Sequence, residues 1–466
     1  DSMRGPTCGR RLMICRVTLP SPSRWWFPPC SATPPSSPSE TRSMPFRSPA
    51  LSRRSLLGGI PALAGMLGAR GARASVGAGD RRFLFIFVDG GWDPTWVFLP
   101  GFDNPNIDMP PDGSDIATAG DLRWVSGPGR PRVDAFFEEY GSRACVINGL
   151  EVRSIAHERC RRLLMTGSSA ASSAGIPTLL AAGDPSTDSL GHVVLSGPAF
   201  RAEGGGDLVR VGVNGQLTEL LDGSCVDGTT NLRLPSTDLA ALEDAFVADQ
   251  VSAGIPGRGA ESRLWDGYGS ALDRLDVARS NSDLLTGGFG DTSTELTAAV
   301  RLLGQGLARC AIVADLGDRN ERWDHHADLS RQIRSYDTLF DRIHSVCRML
   351  SSERGQVAET LFEEVTVVVV SEMGRAPRLN SSMGKDHWMT TSAVLIGGGI
   401  RGGQVFGGYN EAMAGALVHP ETGELGTTDG VVLQPGHLGA TLMQLAGIDP
   451  EPLFGTEQVP LTGVLS

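Results

Sequence analysis

The chain is short of lysine: of 41 Lys and Arg residues among its 466, Lys385 is the one lysine. With 53 Asp and Glu and a formal net charge of −12, it has no blocks of basic residues. Phosphate backbones are neutralised by clustered positive charge, so nucleic acid is excluded as a partner. None of the 8 cysteines forms a C-x-x-C pair. Five follow residue 74 (Cys145, Cys160, Cys225, Cys310 and Cys347), an odd number that indicates neither a disulfide scaffold nor a structural zinc site. The apolar stretch Leu56–Leu67 is too short for a membrane span, which needs roughly 20 residues. No G-x-G-x-x-G follows the first apolar run, which argues against a dinucleotide-dependent oxidoreductase. What the chain does have is 40% hydrophobic residues, enough for a sizeable core and too many for a wholly disordered protein.

Charge is unevenly placed. Residues 1–74 hold 11 arginines against only Asp1 and Glu40; taken from totals of 41 and 53, these leave 30 basic and 51 acidic groups, a body near −21. From Met44 the basic segment has the features of an export leader. Ser52-Arg53-Arg54-Ser55-Leu56-Leu57 is a twin-arginine pattern, the apolar stretch follows, and Ala72-Arg73-Ala74 supplies an A-x-A cleavage site. Residues 44–74 are therefore expected to be a signal peptide handled by the twin-arginine translocase, giving a periplasmic or extracellular protein. No cysteine stands at the cleavage point, so no stable membrane anchor is expected. Residues 1–43, rich in Pro, Ser and Arg, are expected to be an over-extended, disordered start ahead of Met44.

Beyond the leader, Arg82–Val88 is a continuous apolar run, the pattern of a strand buried on both faces of a parallel sheet. Further strands are expected at Ala144–Asn148, His192–Ser196, Leu208–Val213, Cys310–Asp315, Val365–Ser371 and Ser392–Ile396. Helices fall between them. Thr292 and Glu295 have capping-box spacing ahead of Leu296, Val300, Leu303 and Leu307. Ile333, Tyr336, Phe340, Ile343, Cys347 and Leu350 mark an amphipathic helix, and Leu438–Ile448 a last one. This alternation predicts a three-layer α/β/α sandwich on a mostly parallel sheet: one domain over 75–466, with an irregular insertion around 200–290.

Ligands of such sheets bind beyond the carboxyl ends of the strands, and four polar motifs fall there. Asp89 follows the first strand. Trp323-Asp324-His325-His326-Ala327-Asp328 follows the Cys310 strand. Ser371-Glu372-Met373-Gly374-Arg375 ends the Val365 strand, and Gly384-Lys385-Asp386-His387-Trp388 precedes the Ser392 strand. Mixed imidazole and carboxylate ligands suit Zn²⁺, Mn²⁺ or Fe, and two ions can clamp a phosphoryl or sulfuryl group. Each motif also has a structural reading. Asp89 is equally a turn or helix cap. Glu372 is equally a partner of Arg375, and Asp386-His387 a hydrogen-bonded pair. Adjacent His325 and His326 point in different directions, so one of them is expected to stand behind the ligands or at the surface.

Together, FVDGGWD at 87–93, WDHHAD at 323–328, SEMGRAPRLN at 371–380 and GKDHW at 384–388 resemble the twin-arginine-exported family called domain of unknown function 1501, grouped with alkaline phosphatases and sulfatases. The resemblance spans roughly 80–450. It implies an alkaline phosphatase/sulfatase-like core with one or two divalent ions (Zn, Mn or Ca), in which Asp89, Asp324, His326, Glu372 and His387 fall at the metal positions; with the adjacent His325 and Asp386, these are the expected metal-site residues. Within it, His387 resembles a late histidine ligand preceding an edge strand, and Met373 stands where a histidine is usual. The nucleophilic Cys or Thr, expected nine residues before a Thr-Gly pair, is replaced: Thr166-Gly167 is preceded at that distance by His157. Cys160 and Ser154 are out of register, as packing and turn residues.

Two readings follow. In the first, an exported metal-dependent hydrolase acts on a small-molecule or polymer phosphate or sulfate ester. Metal-bound hydroxide attacks, Arg375 and Lys385 stabilise charge, and His157 is a ligand, acid/base or nucleophile. In the second, the protein is a non-catalytic exported binding or surface-assembly protein on the same fold.

Overall fold

The computed structural model describes residues 76–466 apart from Asp112, Ala171 and residues 184–189, 202–207, 212–216, 218–220, 222–236, 254–259 and 286–289. The leader motifs, the segment before Met44 and Cys225 lie outside the described residues.

Strand β1 (Arg82–Val88) shows why the sheet needs cover on both sides. Phe83, Phe85 and Phe87 enter one core, and Leu84, Ile86 and Val88 the other. Burying each such side chain stabilises by about 1.5–3 kcal/mol, so neither face can be left to water. The sheet adds β2 (Ala144–Glu151), β3 (His192–Val194), β4 (Leu208–Arg210), β5 (Cys310–Asp315), β6 (Val365–Ser371), β7 (Thr390–Gly397) and β8 (Gln404–Gly407), in the order β8-β2-β7-β6-β1-β5-β3-β4. Strands β4, β3, β5, β1 and β6 are mutually parallel, and β8 is parallel to β2. Only β7 runs against its neighbours, β2 and β6.

The helices of seven or more residues are α1 (Pro131–Tyr140), α2 (His157–Thr166), α3 (Ile176–Ala182), α4 (Thr237–Ala253), α5 (Ala260–Ser280), α6 (Thr292–Gly304), α7 (Ser330–Ser352) and α8 (Pro435–Leu445). Helices α1, α6 and α7 close the Leu84 face, while α2, α3 and α8 close the Phe83 face. This is the three-layer α/β/α sandwich that the alternation implied.

Some local expectations are corrected. Helix α6 is capped by Asp291, whose carboxylate accepts the Thr294 N–H at 2.9 Å, and Thr292 is its first residue. Glu295 instead turns to Ser196 and to the Gly290 N–H. The strand after His387 is not at an edge: β7 lies between β2 and β6 because it pairs on both sides. Within 200–290, α4 and α5 stand where irregular chain was expected. Leu239, Leu242 and Phe246 of α4 are exposed, and α5 carries Gly267 and Gly269 ahead of its one buried residue among those described, Ala278. Cys145, Cys160, Cys310 and Cys347 are buried thiols outside any disulfide. Among the described residues no helix is long and apolar enough to cross a membrane.

Candidate functional site

Strands β6, β1 and β5 are neighbours that end level, Val88 pairing with Asp315 on one side and Ser371 on the other. Glu372, Asp89 and the loop after β5 therefore start side by side. That loop lies directly on the end of β1. Gly90 has φ +124°, and a Cβ there would meet the Asp324 nitrogen at 2.5 Å. The Trp323 N–H donates to the Asp89 carbonyl at 3.0 Å, and its buried indole donates to Asp315 Oδ1 at 2.9 Å. A tryptophan sunk in the core thus fixes the residue after it, Asp324.

The 380–388 loop is laced to the same segment. Leu329 N–H donates to Met383 O at 3.0 Å, and Asn380 Nδ2 to His326 O at 3.0 Å. At Gly384 a Cβ would lie 2.1 Å from the His326 carbonyl. Arg319, Asn320, Arg322, Asp328 and Met383 all have positive φ in these loops. Left-handed non-glycine backbone of this kind gathers where a site over-determines its geometry.

Four side chains converge. His326 Nε2 and His387 Nε2 are 2.9 Å apart, and each lies 3.1 Å from Asp324 Oδ1. His157 Nε2, on the first residue of α2, is 3.3 Å from Asp324 Oδ2. The partners of the other ring nitrogens assign the tautomers. His387 Nδ1 donates to the Ile155 carbonyl at 2.7 Å, and His326 Nδ1 to Asp386 Oδ1 at 3.3 Å. Both Nε2 atoms are then lone-pair acceptors aimed at each other and at a carboxylate oxygen. Acceptors converge this way around a cation, and a carboxylate or carbonyl behind the imidazole is the usual support of a metal-binding histidine. His157, Asp324 and His387 offer ligand atoms within 4.8 Å of one another. These donors fit a divalent ion.

Electrostatics agree with that layout. Burial pushes the Asp324 carboxyl up, but the hydrogen bond and the charge of the Arg375 guanidinium outweigh it and hold it well below the usual carboxylate range. Burial lowers the His387 imidazole, so it stays neutral and able to ligate. Glu372 is fully buried and raised by desolvation, against the charges of Arg161 and His157. Its Oε1 accepts the Gly90 N–H at 2.7 Å, and His157 Nδ1 is 3.1 Å from the same oxygen without hydrogen-bond geometry.

The remaining sequence candidates lie around this group. Arg375 is buried and spent on the scaffold: it donates to the carbonyls of Gly90, Gly91, Trp323 and Lys385 and to Asp324 Oδ1 at 2.8 Å. Lys385 is fully buried, with Nζ 2.6 Å from Asp93 Oδ2, and does not join the converging side chains. Asp386 is outside them, behind His326. His325 points into a buried environment with no hydrogen-bond partner on either nitrogen, and burial together with the Arg375 charge lowers it to about 4. Cys160 is buried and desolvation raises its thiol to about 11, while Ser154 Oγ accepts the Ala156 N–H.

Two participants escaped the sequence reading. Arg161 lies 2.6 Å from Asp89 Oδ1 and 3.2 Å from Glu372 Oε2. It sits four residues after His157, one helical turn along the same face of α2, which is the signal that could have found it. Asp93 is the other: its carboxylate caps the short helix Pro94–Trp96 and receives Lys385. Beside Arg161 opens a pocket of about 280 Å³ lined by Asp89, Glu158, Phe200 and Arg210 among others.

Residues 276–463 match the family described as "Protein of unknown function (DUF1501)". The motif resemblance is thus matched over the stretch carrying Asp324, His326, Glu372 and His387; Asp89 and His157 precede it. No curated protein matches the chain. Among solved structures, the chain is similar to a protein in the alkaline phosphatase superfamily from Vibrio parahaemolyticus, at 10% identity over 84% of this chain and 72% of that one, TM-score 0.35. It is also similar to the PsFucS1 sulfatase from Pseudoalteromonas sp., at 9% identity over 83% and 73%, TM-score 0.34.

Proposed function

We propose that the protein is an exported metal-dependent hydrolase of phosphate or sulfate esters. The observation that carries the reading is the meeting of His326 Nε2, His387 Nε2 and Asp324 Oδ1 within 3.1 Å, an all-acceptor cluster that a cation resolves. His157, Asp324, His326 and His387 would hold a divalent ion there, supplying Lewis acidity toward an ester oxygen and acidifying water.

The chain's own groups then divide the work. Asp324 and the three imidazoles bind, and Asp386 and the Ile155 carbonyl fix the tautomers of His326 and His387. Arg375 and the Asp93–Lys385 pair hold the loops in place; both cations are positioning residues. An anionic substrate meets a body near −21, so local cations must attract it. Arg210 is the cation of the adjoining pocket not bound to a carboxylate, and the pocket would receive a small-molecule or polymer ester. The twin-arginine pattern at Ser52–Leu57 supports export by the translocase to the periplasm or beyond.

A binding or surface-assembly role is favoured by one feature: the expected register holds His157, and of its neighbours the Cys160 thiol is buried and the Ser154 hydroxyl accepts the Ala156 N–H, so no Cys, Ser or Thr nucleophile is presented there. Elemental analysis with a screen of phosphate and sulfate mono- and diesters separates the readings. Turnover lost in Asp324→Asn and His387→Ala supports the hydrolase; bound metal without turnover on any ester supports binding.

A further inference from the structure

Asp89 and Glu372 follow the adjacent strands β1 and β6 and are both buried. Two carboxylates side by side, Glu372 fully buried and Asp89 nearly so, favour a positive charge between them; the exposed Arg322 approaches only Asp89, with Nε 3.6 Å from Oδ2. The structure supplies that charge covalently. The Arg161 guanidinium spans the pair, with Nη2 2.6 Å from Asp89 Oδ1 and Nε 3.2 Å from Glu372 Oε2, and its third nitrogen reaches Glu158 Oε1 at 2.9 Å. Its planar fork carries a permanent charge suited to bridging two carboxylates. Glu372 Oε2 has no hydrogen bond in this arrangement, so the oxygen is matched by charge rather than by a directed donor. That is the condition of an oxygen an ion could take over if the guanidinium were removed.

We propose that Arg161 is the resident cation of the Asp89–Glu372 pair. The site then takes a single divalent ion, at His157, Asp324, His326 and His387, and loss of the guanidinium creates a second ion position between Asp89 and Glu372. The inference rests on the preceding reading for the first ion only. His157 stands at the border of the two halves: Nε2 faces Asp324 and Nδ1 faces Glu372.

The test is ion stoichiometry, measured by elemental analysis and by calorimetric titration of the metal-free protein with Mn²⁺. Wild type is expected to bind one ion and Arg161→Gln two, a twofold rise. Asp89→Asn, which leaves the Arg161–Glu372 contact in place, is expected to keep the single ion; it decides the matter if Arg161→Gln does not fold, as judged by near-ultraviolet circular dichroism. Two ions in wild type, an unchanged count in folded Arg161→Gln, or loss of the single ion in Asp89→Asn overturns the proposal. The outcomes separate from those of the first reading. An ion removed by His387→Ala, with no gain in Arg161→Gln, sinks this inference and leaves the hydrolase site standing. No ion in wild type and one in Arg161→Gln does the reverse.

Discussion

His326 and His387 direct their Nε2 atoms at each other across 2.9 Å while each Nδ1 donates elsewhere, to Asp386 and to the Ile155 carbonyl. Two imidazole lone pairs at that distance repel unless a cation or proton lies between them. The supports behind the rings should therefore be felt in affinity. Asp386→Ala is expected to weaken Mn²⁺ or Zn²⁺ binding about 10–100-fold with little change in folding, as for other outer partners of metal-binding histidines. Titration calorimetry beside a thermal melt checks both halves; unchanged affinity contradicts the role given to Asp386.

The only lysine of the chain is locked in a buried pair, Lys385 with Asp93, both fully buried and joined at 2.6 Å. Removing one partner leaves an uncompensated charge, so Lys385→Met is expected to cost about 3–5 kcal/mol in denaturant unfolding. The double variant Lys385→Met with Asp93→Leu should recover a large part of that loss, because an apolar pair leaves no buried charge. Equal losses in single and double variants would show that packing, not charge, holds the loop.

Gly384 permits the close approach of the 380–388 loop to His326. A Cβ would sit 2.1 Å from the His326 carbonyl, so Gly384→Ala must push the two loops apart. The expected result is a loss of more than about 1 kcal/mol together with weaker metal binding. A variant of unchanged melting temperature and affinity would mean the loops are not packed as described.

Acid sensitivity has a separate source. Burial lowers His192 to about 3, its Nδ1 lying 3.0 Å from Thr178 Oγ1, and lowers His437 to about 4. In the unfolded chain both protonate near their ordinary 6.5, so between these values the unfolded state holds more protons. Stability is then complete above about pH 6.5 and falls as pH drops toward 4, by roughly 1.4 kcal/mol per pH unit for each histidine. Melting temperature measured from pH 7 to 4 checks the slope, and His192→Asn should flatten it.

Much of the framework was legible in the sequence because strands buried on both faces leave continuous apolar runs, as in Arg82–Val88 and Val365–Ser371. The motifs at their ends were legible for the same reason: a polar residue just beyond a buried strand has one edge of the sheet to occupy. What was not legible depends on direction. Adjacent His325 and His326 read alike, yet one ring is buried without partners and the other joins the cluster. Arg375 and Lys385 read as cations for a substrate, and only the fold shows that their charges are already met by carbonyls, Asp324 and Asp93. Arg161 was hidden in a run of arginines, because helical spacing alone does not say which face of α2 meets the sheet edge.

The ion at the histidine cluster is tested most directly by titrating metal-free protein with Mn²⁺ or Zn²⁺ and repeating the titration on His387→Ala and Asp324→Asn. Saturable binding of an ion in wild type, abolished in both folded variants, is the predicted result. Absence of binding in wild type, or binding that both variants retain, would contradict it.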